Sequence, residues 1–265
     1  IGGITLADGT AFGGTAEGEP LYRYYGYVVD HIIETQEQAD NAMYDSSAKG
    51  YRPSDGKNIA GRKEIGDYEW KNREGSQTKD GKDYIDSQDQ FLLGYTVPHS
   101  TGGLNNNFTY KNFTLNIFVD WALGHSINNN SEMRYFMNTF ANNYTLIDEV
   151  KQCWKQPGDN TKYARFTAND PDDGNANFSR TSNVFNYKGD YLCIREISLQ
   201  YNVPTNKLTK LGIQNLAITL AGNNLHYFTA VKGVSPEVGA STTYNKDYYN
   251  YPPIRKYSVG VKVTF

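Results

Sequence analysis

The chain has 265 residues, 38% of them hydrophobic and 14% aromatic, with 22 Tyr and 12 Phe against 3 Met. A compact globule fills its core chiefly with Leu, Ile, Val and Ala, so a tyrosine-rich, aliphatic-poor chain suits a sheet whose aromatics sit at an interface or line a groove. A net charge of -3 with both signs interspersed offers no basic stripe to phosphate, which argues against a nucleic-acid partner.

The first residues, IGGITLADGT, lack the basic start and apolar stretch of a secretory leader. LYRYYGYVVDHII reads as a strand and EIGDYEWKNREG as holding another, while residues 34–62 carry no pattern. The clearest pair of strands is GGLNNNFTYKNFTLNIFVDWALG. Leu104, Asn106, Phe108 and Tyr110 alternate with Asn105, Asn107 and Thr109; after Lys111-Asn112 a second run sets Phe113, Leu115, Ile117, Val119 and Trp121 on one face. An asparagine in the connection tolerates the left-handed backbone that a two-residue hairpin needs. The other face carries Thr114, Asn116, Asp120 and Ala122, too polar for a dry core and suited to a wet lumen.

No convincing strand lies between Gly124 and Gly189. Within that segment Met133, Phe136, Met137, Phe140, Tyr144 and Ile147 recur at three- and four-residue spacing. They predict an amphipathic helix capped by Ser131 and stopped at Pro157-Gly158, its stripe packed against a loop or rim. Strands follow over YLCIREISLQY and QNLAITLAGNNL. In the first, the apolar phase moves from Leu192 and Ile194 to Ile197, Leu199 and Tyr201, which predicts a bulge near Arg195-Glu196. The last residues, YSVGVKVTF, put Tyr257, Val259, Val261, Val263 and Phe265 on one face and Ser258, Gly260, Lys262 and Thr264 on the other. Short connections at 111–112 and 204–212 alternate with long ones at 124–189 and 226–252. Outer-membrane barrels show this asymmetry of short periplasmic turns and long extracellular loops. No run approaches the roughly 20 apolar residues of a spanning helix, and strands cross a membrane without one.

Signatures of catalysis are missing. His31, His99, His125 and His226 lie far apart and outside any H-E-x-x-H pattern, and neither G-x-S-x-G nor G-x-x-x-x-G-K occurs. Cys153 and Cys193 lack metal-ligand spacing, and their pairing is left open. The expectation is a protein that is not an enzyme.

The ordered stretches GEPLYRYYGYVVDHI, GDYEWKNREG, YIDSQDQFLLGYTVP, GGLNNNFTYKNFTLNIFVDWALG, GDYLCIREISLQYNVP, GNNLHYFTAVKGVSPE and YPPIRKYSVGVKVTF resemble the carboxy-terminal part of SusC/RagA-type TonB-dependent outer-membrane transporters of Bacteroidetes. The resemblance implies an all-β fold, the carboxy-terminal portion of an antiparallel 22-stranded transmembrane barrel with an internal plug. At about 10 residues per strand plus loops, the chain holds about six to eight strands. Residues 1–265 are therefore expected to be barrel alone, with the plug and amino-terminal domains outside this chain. The resemblance also implies the bacterial outer membrane as location and a SusD-like surface lipoprotein and the TonB-ExbB-ExbD complex as partners. The cargo it implies is an oligosaccharide or oligopeptide, with no cofactor required. Tyr257, Val259, Val261, Val263 and Phe265 are then the membrane-facing side of the last strand, with Phe265 as the terminal aromatic of the assembly signal.

Aromatic and polar residues in the long loops are candidate contacts for substrate or partner: Trp154, Tyr163, Arg165, Tyr187, Tyr244, Asp247, Tyr248 and Tyr249, since ring faces stack on sugars and apolar side chains. DGKDYIDSQD corresponds to a family stretch resembling a calcium loop. Asp80, Asp83, Asp86 and Asp89 are thus candidate ligands for a structural calcium, although Asp83 stands where the turn glycine is expected and Lys82 adds a cation. A different class of protein, a soluble secreted β-rich module with tyrosines lining a glycan groove, is the alternative; its strands would have to cover both faces without lipid.

Overall fold

A computed structural model describes residues 23–45, 51–52, 57–58, 62–73, 83–86, 88–137, 145–167, 176–204, 206, 208, 212–237 and 253–265. The chain divides into two compact units, one of residues 1–97, 126–187 and 239–249, the other of residues 98–125, 188–238 and 250–265.

The second unit is built on one antiparallel sheet of five strands, β1 (Ser100–Tyr110), β2 (Phe113–Leu123), β3 (Tyr191–Asn202), β4 (Asn215–Thr229) and β5 (Lys256–Thr264). They lie side by side in chain order. Tyr110 pairs with Phe113, so the connection is the two-residue turn the sequence predicts. Its left-handed residue is Lys111, at φ 51°, and not the asparagine. Strand β4 continues to Thr229, four residues past the stretch read from the sequence.

Residue 195 is where the sheet slips. The β2–β3 register jumps from Phe118 opposite Glu196 to Val119 opposite Ile194, leaving Arg195 unpaired. Across the other edge of β3, Ile194 faces His226 and Glu196 faces Asn223, and Asn224 there adopts φ 52°. A bulge inserts one residue and restores side-chain phase beyond it. The predicted bulge is present at the predicted place.

The first unit has little regular structure: its strands run from two to five residues, as in Tyr68–Trp70 and Phe91–Tyr95. The stretch LYRYYGYVVDHII is broken into Arg23–Gly26 and Val29–Ile32. Between them the Tyr27 amide leaves the strand direction and donates to the Thr181 carbonyl at 3.0 Å. A helix, α1 (Gln36–Asn41), occupies part of the segment that carried no pattern. It opens on a capping box: Gln38 N donates to Thr35 Oγ1 at 3.2 Å while Thr35 N donates to Gln38 Oε1 at 3.1 Å.

The predicted long helix is corrected to a short one, α2 (Asn130–Phe136). Its cap is Asn129, two residues before the predicted Ser131, and Asn129 Oδ1 accepts from Glu132 N at 3.0 Å. Phe140 and Tyr144 lie outside the described residues, and Ile147 precedes a separate 3-10 turn, Asp148–Gln152. Met133 and Phe136 are buried in one core against which Met137 and Ile147 also pack, so the spacing reported burial supplied by two elements.

That core is aromatic. The Phe136 ring lies 4.4 Å from Tyr163, 5.2 Å from Phe178 and 5.2 Å from Phe185 between centroids, and Tyr68 touches both Trp70 and Phe178. Offset and edge-to-face contacts of this kind add to the area term of burial. In the full-length protein, Phe136→Ala is expected to weaken this unit by about 3–5 kcal/mol. Hydrogen exchange of Tyr68–Trp70 and Phe178–Phe185 checks it; unchanged protection there would contradict a core centred on Phe136.

Candidate functional surface

Strand register sorts every side chain of the sheet. One face reads, row by row across β1 to β5, Tyr110, Phe113, Tyr201, Ile218, Val261, then Phe108, Leu115, Leu199, Leu220, Val259. Further along come Asn106, Ile117, Ile197, Gly222, Tyr257, then Leu104, Val119, Ile194, His226, and finally Gly102, Trp121, Leu192, Phe228. From row Tyr110 to row Gly102 is about 27 Å along the strand, or about 21 Å at a barrel tilt near 40°, close to the apolar band of an outer-membrane barrel. Aromatics concentrate at its two ends. Tyr201 and Phe113 meet with ring centroids 4.7 Å apart at one end, and His226 meets Phe228 edge-on at 4.5 Å at the other.

These side chains are open to the surroundings: Phe108 is 56% exposed, Leu220 52%, Val259 73% and Phe265 79%. A soluble monomer does not leave so continuous an apolar face uncovered. Trp121 is on this face but lies across Gly102, where an added Cβ would come within 2.3 Å of its ring.

The opposite face is polar, with rows such as Thr109, Thr114, Gln200, Thr219, Gly260 and Asn107, Asn116, Ser198, Ala221, Ser258. At the bulge Arg195 joins this face. Its Nε and Nη2 donate to the two oxygens of Asp120 at 2.8 and 2.7 Å, and Nη1 donates to Asn224 Oδ1 at 2.9 Å and Tyr227 Oη at 3.1 Å. Nη2 also meets Glu237 of the β4–β5 connection. Beside it, Glu196 accepts from Asn116 at 3.4 Å and Asn223 at 3.3 Å. The slip in apolar phase was the sequence signal for this cluster; nothing local marked Glu237 as its member.

The loop candidates separate. Tyr163 is buried in the aromatic core, and its hydroxyl and that of Tyr187 donate to Glu132 at 3.3 and 2.8 Å. Lys162 Nζ lies 5.1 and 5.2 Å from the same two rings. Arg165 is engaged with Asp67 at 2.6 Å and Glu64 at 3.0 Å, and Asn177 also donates to Asp67 at 2.9 Å. Trp154 is half-buried, its ring against Gly66, whose φ of 93° and crowding leave no room for a Cβ. Tyr244, Asp247, Tyr248 and Tyr249 lie outside the described residues.

Two further ionic contacts escaped the sequence reading. Lys63 pairs with Glu69, both almost fully enclosed. Arg180 bonds Asp45 at 2.9 Å with its guanidinium 4.6 Å from the Tyr27 ring and 5.2 Å from Trp70.

Of the acidic stretch, Asp80 is outside the described residues. Asp89 is fully buried and accepts from the backbone amides of Arg73 at 2.6 Å and Asp86 at 2.8 Å, while Asp86 accepts from Gln88 N at 2.6 Å. This is a hydrogen-bonded turn, and among the described residues no group of three or more His, Cys, Asp or Glu is placed to hold a metal. Cys153 and Cys193 are both free and buried, one in each unit, and burial pushes the Cys153 thiol up to about 12.

No protein-family model matches the chain. TonB-dependent receptor P3 of Formosa agariphila is 28% identical over 194 residues, 70% of this chain and 18% of that receptor. TonB-dependent receptor P39 of the same organism is 27% identical over 200 residues, 71% of this chain and 18% of its own length. This chain is homologous to TonB-dependent receptors. Its backbone superimposes on the RagAB peptide transporter with a TM-score of 0.58 at 16% identity, covering 92% of this chain and 23% of that one. The 'closed-closed' state of the RagAB peptide importer gives 0.57 at 19% identity. The chain thus spans under a quarter of the length of these TonB-dependent relatives and solved chains. The SusC/RagA resemblance stands, the sheet shares its fold with part of these barrel transporters, and the relatives are receptors and transporters rather than enzymes.

Burial and the Glu132 carboxylate hold the Tyr163 and Tyr187 phenols well above the ordinary tyrosine range. Unfolded tyrosines ionise near pH 10. The stability these groups contribute is therefore complete below about pH 10 and is lost as pH rises from there through the folded values. Alkaline titration followed by ultraviolet absorbance is expected to show both phenols ionising only on unfolding of their unit. Tyr163→Phe with Tyr187→Phe removes that component; equal alkaline sensitivity of variant and parent would contradict it.

Proposed function

We propose that this chain forms part of the wall and extracellular loops of a SusC-like, TonB-dependent importer, at the carboxy-terminal end of its barrel domain. The observation that carries the reading is the five-stranded sheet with one continuous apolar face and one polar face. In a barrel the apolar face meets lipid and the polar face lines the path. Both outer strands support continuation, since among the described residues β1 and β5 each pair on one edge only within this sheet. An unprotected edge in a membrane needs another strand beside it.

The whole receptor, in this account, takes up an oligosaccharide or oligopeptide together with a SusD-like surface lipoprotein, energised through TonB. Homology to receptors P3 and P39 and the fold shared with RagAB support that choice. The soluble glycan-binding module is disfavoured by the same sheet, which leaves Leu220, Val259 and Phe108 uncovered.

Full-length receptor extracted from outer membranes in mild detergent is expected to bring a surface lipoprotein with it in near-equal amount. Deleting the receptor gene is expected to abolish uptake of one oligosaccharide or peptide class, with the same loss on disrupting TonB. A receptor that purifies alone and whose loss leaves every such uptake intact would overturn the reading.

A further inference from the structure

The connection after β4 does not simply leave the sheet. Val231 and Pro236 are buried, and a turn at Ser235–Glu237 is fixed by Glu237 N donating to Ser235 Oγ at 3.2 Å. Glu237 reaches Arg195, which lies four residues in from the Tyr191 end of β3, about 14 Å along the strand. The Pro236 carbonyl approaches His125 Nε2 at 3.5 Å, and His125 is itself buried against Gly189, where an added Cβ would come within 2.4 Å of the ring. Cys193, one of the polar-face side chains, is fully buried, although that face is the one open to water in a barrel wall.

We propose that Val231–Glu237 is an inward strap, latched to the wall by the Arg195–Glu237 ion pair, that lies over part of the polar face and narrows what passes along it. This rests on the barrel reading only in taking the polar face as the aqueous path. Arg195 is a positioning residue. Asp120 holds it through two parallel bonds between strands, so the guanidinium keeps its orientation whether or not Glu237 is present. Glu237 belongs to a connection and is 28% exposed at its side chain, so its bond to Arg195 opens without breaking the strand ladder. The division gives a strap that undocks while the wall stays intact.

The test uses full-length receptor in detergent with Cys153→Ser, leaving Cys193 as the thiol of this region. Glu237→Gln removes the charge and keeps the size; Glu237→Asp keeps the charge. In Glu237→Gln the amides of Val231–Glu237 are expected to lose about tenfold in hydrogen-exchange protection, and maleimide labelling of Cys193 to accelerate by about the same factor. The strands β2, β3 and β4 keep their protection, and Glu237→Asp stays near the parent in both readouts. Unchanged exchange and labelling in Glu237→Gln would overturn the latch. Loosening of β2 to β4 together with the strap would also overturn it, since the pair would then be part of the wall. Both readouts are taken on the sheet and need no cargo, so their failure is distinct from failure of the import reading.

Discussion

The sheet depends on one inserted residue. Side chains alternate with a period of two, so a strand whose apolar residues fall at 192, 194, 197, 199 and 201 cannot keep them on one face without an extra residue between 194 and 197. The bulge at Arg195 supplies it. Without it, Leu192 and Ile194 would turn to the polar face while Tyr191 and Cys193 turned to lipid. The residue that corrects the phase is also the cation that ties β2, β3, β4 and the following connection together. Geometry and electrostatics are thus met by a single side chain, and its cost in the ladder is one missing pair.

The loop-rich unit meets a different constraint. Strands of two to five residues supply few ladder bonds. Rings therefore fill the core, and three buried carboxylates are matched by cations, Glu69 by Lys63, Asp67 by Arg165 with Asn177 beside it, and Asp45 by Arg180, while Asp89 is held by backbone amides. Such pairs do not guarantee net stability, because desolvation offsets much of their attraction, but removing one partner leaves a buried charge uncompensated. They fix which loop lies against which. Tyr163, Arg165 and Tyr187 do this work, which explains why aromatic and charged residues in long loops are so often framework before they are contact surface.

How much was legible follows from the range of each signal. The strands of the five-stranded sheet are periodic over about ten residues, so 104–110, 113–121, 191–201, 214–225 and 257–265 were placed from their alternation, as was the bulge. The helix after Asn129 was overextended because Ile147 joins the same core from a separate turn, and periodicity reports burial without saying which element provides it. The helix at Gln36–Asn41 was missed although Thr35 and Gln38 spell its capping box, because six residues are too few for a periodic pattern. Pairings across long sequence separation, such as Asp67 with Arg165 or Arg195 with Glu237, leave no local trace at all.

In a barrel wall the two faces of the sheet meet different solvents. Spin labels at Leu220→Cys and Thr219→Cys, neighbours in the central part of β4 on opposite faces, test it in full-length receptor reconstituted in a bilayer. The label at 220 is expected to be relaxed by dissolved oxygen and barely by a water-soluble nickel chelate, with the label at 219 the reverse. Equal nickel access at both positions, or the opposite order, would contradict a barrel wall.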